Sequence, residues 1–307
     1  MSTVQLDVTS QAPPASPMRP ELASKSSSRA TKDLLARVVM WAAFFIAVVP
    51  LVWILGSVII KGGQMLLESQ WWTNSQAGIT PRRVGGGAAH AIQGTIYMAL
   101  VTAAMSVPIG VLTAVYLVEY GRGRLARLVS FMVDILTGIP SIVAALFIYA
   151  LWVSTIGLRR VPFAVTLALV ILMIPTVVRS TEEMLKLVPN ELREASYALG
   201  VPKWKTIMKV VLPTAFSGII TGILLGLARV MGETAPLIIL GPYTKVIASD
   251  LFGGLMATLP TMINNDRGEN LQPAVDRVWA AALTLILLIF VLNLLGRFIG
   301  RFSKVKA

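Results

Sequence analysis

The sequence predicts an all-α protein set in a membrane, and three observations predict it. Charge is scarce: 14% of the 307 residues are Asp, Glu, Lys or Arg, against roughly 25% in a soluble domain. Hydrophobic residues make up 55% of the chain, with a mean hydropathy of +0.74, and they gather into runs close to the ~20 residues a bilayer-crossing helix needs. Basic residues, finally, crowd into every second link between those runs. Inside a bilayer there is no water to satisfy backbone groups, so each run reads as a helix.

Residues 1–33 are rich in Ser, Ala and Pro without an apolar core. They read as a disordered tail and not as a cleavable signal. The six-span domain then covers 34–307. Its apolar runs fall at about 38–60 (VVMWAAFFIAVVPLVWILGSVII), 91–118, 128–153, 161–178, 211–236 and 277–297. Pro108, Pro140 and Pro175 lie inside runs and predict kinks, because neighbouring helices can re-satisfy the freed carbonyls.

Lys and Arg number five up to Arg37, three in 119–127, six in 179–209 and four in the C-terminal tail. The alternate links hold three (61–90), two (159–160) and three (241–277). Cytoplasmic links carry the excess. Both termini and the 179–209 link are therefore expected in the cytoplasm, with 61–90 and 241–277 outside. The net charge of +12 is spread through links, whereas a nucleic-acid binder concentrates it on one soluble face. Membrane lipid, not nucleic acid, is the expected surrounding. Cysteine is absent, so disulfides and thiolate metal sites are excluded, and no cofactor or metal is expected.

Three charges remain within the runs: Arg229, Glu233 and Asp134. Each costs about 2.5–3.5 kcal/mol at a helix centre. At about 100° per residue, Gly218, Gly222 and Gly226 share one narrow helical face with Arg229 and Glu233. Glycines four apart let another helix approach closely. The pair is therefore expected to face a protein seam or a water-filled path. A locally neutralised i,i+4 ion pair is the plainer alternative. Arg suits an oxyanion, since its planar fork matches phosphate or carboxylate. Asp134, near the cytoplasmic side of the third run, can reach Arg179 at the end of the fourth. The alternatives are a packing hydrogen bond for Asp134 and a positive-inside anchor for Arg179.

The link 179–210 is organised. Asn190 can cap a short helix over ELREASYAL, Gly200 can end it in the left-handed conformation, and Pro202 suits the first turn of a second helix. The first helix is about two turns, too short to stand alone, and is expected to dock on this chain or another. Glu194-Ala195-Ser196, then Gly200, then Val210-Val211-Leu212-Pro213 resembles the EAA loop of ABC importer permeases, with Ser196 in place of the second Ala and Val210 in place of Ile. The stretches GIPSIV (138–143), VVRSTEEMLKLVPNELREASYALGVPKWK (177–205) and GILLGLARVMGETAPL (222–237) resemble the PstA-type permease of the phosphate-specific ABC importer, from about residue 90 onward.

That resemblance implies a MetI-like permease fold in the plasma membrane of a bacterium, with phosphate uptake as its role. It implies a second, PstC-type permease, an ATPase dimer and an external phosphate-binding protein as partners. Glu194, Ala195 and Gly200 are implied as ATPase contacts on a coupling helix, and Arg179 and Arg229 as basic residues of the phosphate path. Glu233 matches the acid of the second motif. The chain has no G-x-x-x-x-G-K-[ST] loop, so ATP hydrolysis is expected on another polypeptide, and no catalytic residue is expected here. Three rivals stand beside this reading. One is a permease for sulfate or molybdate. Another is an ATP-independent secondary transporter, which is expected to show two related halves. The last is a membrane enzyme, for which the runs supply no acidic cluster. The single His, His90, reads as interfacial, and Trp71-Trp72 as either an interfacial anchor or a docking surface. The turn-rich INNDRGEN (263–270) reads as a docking surface without chemistry.

Overall fold

Long apolar runs become long helices, even where a proline lies inside them. In a computed structural model of the chain, residues 27–302 are described, and helix is the only regular structure among them. Residues 1–26, most of the expected tail, lie outside the described residues. The remainder of that tail is already helical, since α1 runs Ser27–Leu66. The chain divides into two compact units, Met1–Ile54 and Leu55–Ala307. In the first, the rings of Trp41, Phe44 and Phe45 pack on one another with centroids 5.6 to 6.0 Å apart.

The second unit holds the rest. After the short α2 (Ser69–Thr73), α3 (Ala89–Val115) passes into a π turn at Tyr116–Tyr120. Then come α4 (Gly123–Gly138) and α5 (Ser141–Ile148), the latter extended by π turns to Thr155. α6 spans Pro162–Lys186. α7 (Asn190–Ala198) and α8 (Lys203–Thr206) follow, and α8 leads through a π turn into α9 (Leu212–Gly232). α10 (Ala235–Leu240), α11 (Leu259–Asp266) and α12 (Gln272–Phe302) complete the chain.

Five helical stretches are long and apolar enough to cross a membrane: Ala30–Leu66, Ala89–Tyr120, Pro162–Lys186, Lys203–Gly232 and Gln272–Gly300. A sixth crossing is present if α4 and α5 count as one, but they meet at 107°. Pro140 therefore makes a corner where a kink was expected. Its ring disfavours helical backbone at the preceding residue, and Ile139 is extended at ψ 125°. Pro108 and Pro175 do lie inside α3 and α6.

α6 is the central helix: 61% of its most apolar stretch is buried within the chain. It carries small residues at Ala164 and Ala168, and α3, α5 and α9 pack around it. One cluster joins Met98, Ala145, Leu169, Met173 and Val230. A second, at the end bearing the 61–90 and 241–277 links, joins Trp71, Leu259, Met262 and Ala280. A third, at the opposite end, joins Val178, Leu185, Val211, Ala215 and Ile219. Within lipid such packing gains mainly van der Waals contact, which is why small residues mark the seams.

Candidate functional site

Arg179 does not close its helix. α6 continues past the expected end at 178 to Lys186, because no proline interrupts it before Pro189. One guanidinium nitrogen of Arg179 donates to Glu182 Oε2 at 2.6 Å. The other donates to Ser130 Oγ at 3.1 Å, to the Ser130 carbonyl at 3.2 Å, and to Asp134 Oδ1. Ser130 and Asp134 are four apart on α4 and so share a face. Glu182 Oε1 accepts in turn from Lys186 Nζ at 2.7 Å. The pairing of Asp134 with Arg179, geometrically possible from the sequence, is formed. Asp134 is the loosest member, its side chain 64% exposed, against 11% for Glu182.

The second pair differs from expectation. α9 ends at Gly232, and Glu233 follows in extended backbone at ψ 136°. Glu233 therefore does not share the helical face of Arg229. Two residues explain the break: Gly232 is a weak helix former, and Pro236 lacks the N–H that would bind the Gly232 carbonyl. Arg229 Nε and Glu233 Oε1 stand 3.8 Å apart, an ion pair without a hydrogen bond. The glycine stripe does receive a neighbouring helix, and that helix is α6. A Cβ at Gly222 would meet Ser180 Oγ at 2.2 Å, and one at Gly218 would meet Met184. Gly226 fits more loosely, 3.6 Å from Met173. Arg229 lies beyond this seam with its side chain 51% exposed. Of the two expected settings, a protein seam or a water-filled path, the seam is filled by α6 without Arg229, which projects from the last turn of α9. Because α6 and α9 pair in antiparallel fashion, Arg229 and Arg179 sit at different levels. Arg229 is about 10 Å along α9 from Gly222, the residue that faces Ser180.

In the 188–213 link, Gly200 adopts φ +75° as expected, ending α7 in the left-handed conformation. Asn190 does not cap the helix. Pro189 holds that position, and Asn190 Oδ1 accepts from Arg193. α7 docks on its own chain through that arginine. Arg193 donates to Glu119 Oε1 at 2.8 and 3.1 Å, to the Val188 carbonyl at 2.7 Å and to the Leu185 carbonyl at 2.9 Å. Ser196, the departure from the Glu-Ala-Ala pattern, is buried and its hydroxyl pairs with Thr206 at 2.8 Å. Lys203 adds a bond to the Glu119 carbonyl and lies 4.7 Å over the Tyr120 ring. Glu194, Ala195 and Gly200 are exposed, beside exposed Tyr197 and Leu199.

At the opposite end the fold assembles a polar cluster that sequence reasoning missed. Asp266 and Arg277 are both buried, with Nε and Oδ2 at 3.5 Å. Gln76 donates to Asp266 at 3.4 Å, Asn265 donates to it at 2.8 Å, and Arg277 donates to the Arg83 carbonyl at 3.0 Å. Burial pushes the Tyr243 phenol above its usual range, and Asp266 adds to the rise while Arg277 opposes it. The INNDRGEN stretch therefore supplies a buried acid as well as surface. His90 is buried, not interfacial, and neither ring nitrogen has a hydrogen-bond partner among the described residues. Trp71 is 1% exposed and donates from Nε1 to Thr284 Oγ1 at 2.9 Å, so it is core and neither anchor nor docking surface. Trp72 is exposed. No local signal marks Trp71 for burial, since its partner is 213 residues away. Among the described residues, no three His, Asp or Glu side chains converge on a metal-sized site.

Chemically, Arg179 and Arg229 present guanidinium groups at different levels along the α6–α9 pair, the first answered by two carboxylates and the second by one. The chain also presents an exposed short helix clamped to the ends of α3 and α6. The model of the binding-protein-dependent transport system inner membrane components matches residues 106–304. The phosphate transport system permease protein PstA of Mycobacterium leprae is 52% identical over 271 residues, 88% of this chain and 89% of that one. PstA of Yersinia pestis is 38% identical over 92% of this chain and 94% of that one. Among solved structures, the inward-facing MetNI methionine ABC transporter matches with a TM-score of 0.57 at 21% identity, covering 70% of this chain and 94% of that one. A bacterial alginate ABC transporter matches with a TM-score of 0.64 at 14% identity, covering 91% and 99%. At those identities the two structures speak for the fold alone.

Proposed function

The chain belongs to the binding-protein-dependent transport system inner membrane components and, among them, to the PstA phosphate permeases, and from that premise we propose how it works. It is the multi-pass permease subunit of an ATP-driven importer of inorganic phosphate. The observation that carries this is the 52% identity to a phosphate permease sustained over 88% of the chain. A related second permease completes the translocation path, an ATPase dimer powers it, and an external binding protein delivers the ion. The membrane is the plasma membrane of a bacterium, with both termini in the cytoplasm. That orientation is supported by the excess of Lys and Arg in the 119–127 and 179–209 links.

The coupling loop lies within 179–210. The exposed face of α7, with Glu194, Ala195 and Gly200, receives the ATPase. Movement of α7 reaches the membrane along two routes. Arg193 grips Glu119 beyond α3, the Leu185 carbonyl in the last turn of α6 and the Val188 carbonyl just past it. α8 runs through its π turn directly into α9, and the stripe of Gly218, Gly222 and Gly226 lets α9 slide on α6.

Arg179 and Arg229 act as successive cationic stops for phosphate that has shed its water. Glu233 holds Arg229 when the path is empty and keeps the site weak, because conduction needs release as well as entry. As a carboxylate it can also accept a hydrogen bond from the hydroxyl of hydrogen phosphate, a donor that sulfate lacks.

Co-reconstitution of this chain with its second permease, ATPase and binding protein in vesicles tests the reading. ATP-dependent accumulation of phosphate is expected. Uptake driven by an ion gradient without ATP, or transport of sulfate in place of phosphate, overturns it.

A further inference from the structure

Four charges meet around Arg179, and they do not belong equally to one element. Arg179, Glu182 and Lys186 are all on α6, joined by bonds of 2.6 and 2.7 Å. Asp134 alone comes from α4. With Asp134 in place, the quartet carries two positive and two negative charges and sums to zero. Without it, the three α6 groups sum to +1. An oxyanion arriving at this cluster therefore meets a neutral site or a cationic one according to where a single carboxylate stands. That carboxylate is also the more solvent-exposed of the two acids, so water can take over its lone pairs when it leaves. Glu182, largely buried and held from two sides, stays.

α4 ends in a bend close to this face, which Val133 packs against α6. Its C-terminal end is the corner at Gly138–Ile139–Pro140, where both Ile139 and Pro140 are extended and the chain turns by 107°. Nothing lies within 4 Å of where a Cβ on Gly138 would stand. Ser130 and Asp134 offer their three acceptors to the same guanidinium nitrogen of Arg179, so one displacement of α4 frees that nitrogen entirely.

We propose that Asp134 is a removable counter-ion, a latch that occupies Arg179 between transport events and must yield before Arg179 can hold phosphate. This rests on the phosphate-permease reading above and adds to it the regulation of the Arg179 stop. Asp134 is thus a positioning residue: it acts through Arg179 and competes with the substrate for it. Where a competing state is populated, apparent affinity falls by the fraction of sites left free. Removing the competitor raises affinity, and slows release.

The test uses the purified permease–ATPase complex without binding protein or ATP, with radiolabelled inorganic phosphate as the probe. Asp134→Asn is expected to tighten the apparent Kd at least threefold, and to lower the maximal uptake rate of the reconstituted importer. A residue of merely structural value would weaken binding. Asp134→Glu, which keeps the charge, is expected to restore the wild-type Kd. The double variant Asp134→Asn/Arg179→Gln is expected to lose the gain. An unchanged or weaker Kd in Asp134→Asn overturns the proposal, as does a gain that survives in the double variant. Should Asp134→Asn fail to assemble, Asp134→Ser removes the same carboxylate with a small polar side chain: a tighter Kd supports the latch and a wild-type Kd overturns it. Wild-type uptake is the control for the underlying reading. If the wild-type importer moves no phosphate, the permease assignment fails; if it does and the Kd is unmoved, only the latch fails.

Discussion

Arg193 on α7 donates two hydrogen bonds to Glu119 across 74 residues of chain, and both side chains are largely buried. This single arginine fastens a helix too short to be stable alone to the ends of two long ones. Arg193→Ala leaves Glu119 buried without its partner. Breaking a buried pair from one side costs about 3–5 kcal/mol. The expected outcome is a lowered thermal midpoint of the solubilised chain, together with fewer phosphate ions moved per ATP hydrolysed. Arg193→Lys recovers only part of both, because an ammonium cannot serve Glu119 and two carbonyls with a planar fork.

The seam between α6 and α9 distinguishes its glycines. A methyl at Gly222 meets Ser180 at 2.2 Å, whereas one at Gly226 meets nothing nearer than 3.6 Å. Gly222→Ala is expected to destabilise the helix pair by about 1–3 kcal/mol, the usual range for overpacking. Gly226→Ala is expected to be tolerated. Thermal unfolding of the two variants side by side checks the contrast.

Arg229→Ala, in an otherwise assembled importer, is expected to cut phosphate uptake at least tenfold, about 1.4 kcal/mol of barrier. Arg229→Lys retains charge without the fork and is expected to fall between. Uptake at wild-type level in the Ala variant removes Arg229 from the path.

The buried Asp266–Arg277 pair makes an additive test impossible to satisfy. Asp266→Ala strands a buried guanidinium and is expected to cost about 3–5 kcal/mol. Adding Arg277→Met removes the stranded charge and is expected to recover most of that loss. A double-mutant cycle on the thermal midpoints measures the coupling; strictly additive effects contradict the pair.

Tyr243 sets an alkaline limit. Its folded phenol titrates above the ordinary value of about 10, because burial and Asp266 disfavour the phenolate. Above that ordinary value the unfolded chain releases this proton while the folded chain keeps it. The unfolded state then binds fewer protons, and stability falls as pH rises. Melting curves from about pH 9 to about pH 11 are expected to show a steeper loss for the wild type than for Tyr243→Phe.

How far the chain can be read without its fold depends on the range of the forces involved. The scarcity of charge and the apolar runs are local features, and they announce a helical membrane protein; the spacing of Glu194, Gly200 and Pro213 is local too, and it carries the resemblance to importer permeases. Arg229 stands out as a lone cation in an apolar run, and Gly200 as the residue suited to a left-handed turn, because each property belongs to one residue and its neighbours. Periodicity alone extends α9 past Glu233, whereas Pro236 acts four residues back on the Gly232 carbonyl and ends the helix first. Pro140 likewise made a corner where a kink was expected.

Nothing local marks Trp71 as core, Asp266 and Arg277 as a buried pair, or Arg193 as the clamp on Glu119. Those depend on which segments, 11 to 213 residues apart, the tertiary structure brings together. Hydropathy along the chain determines that this protein enters a membrane. Which charges are then neutralised, and by whom, is decided only when the helices pack, because a side chain's electrostatic partner is its neighbour in space.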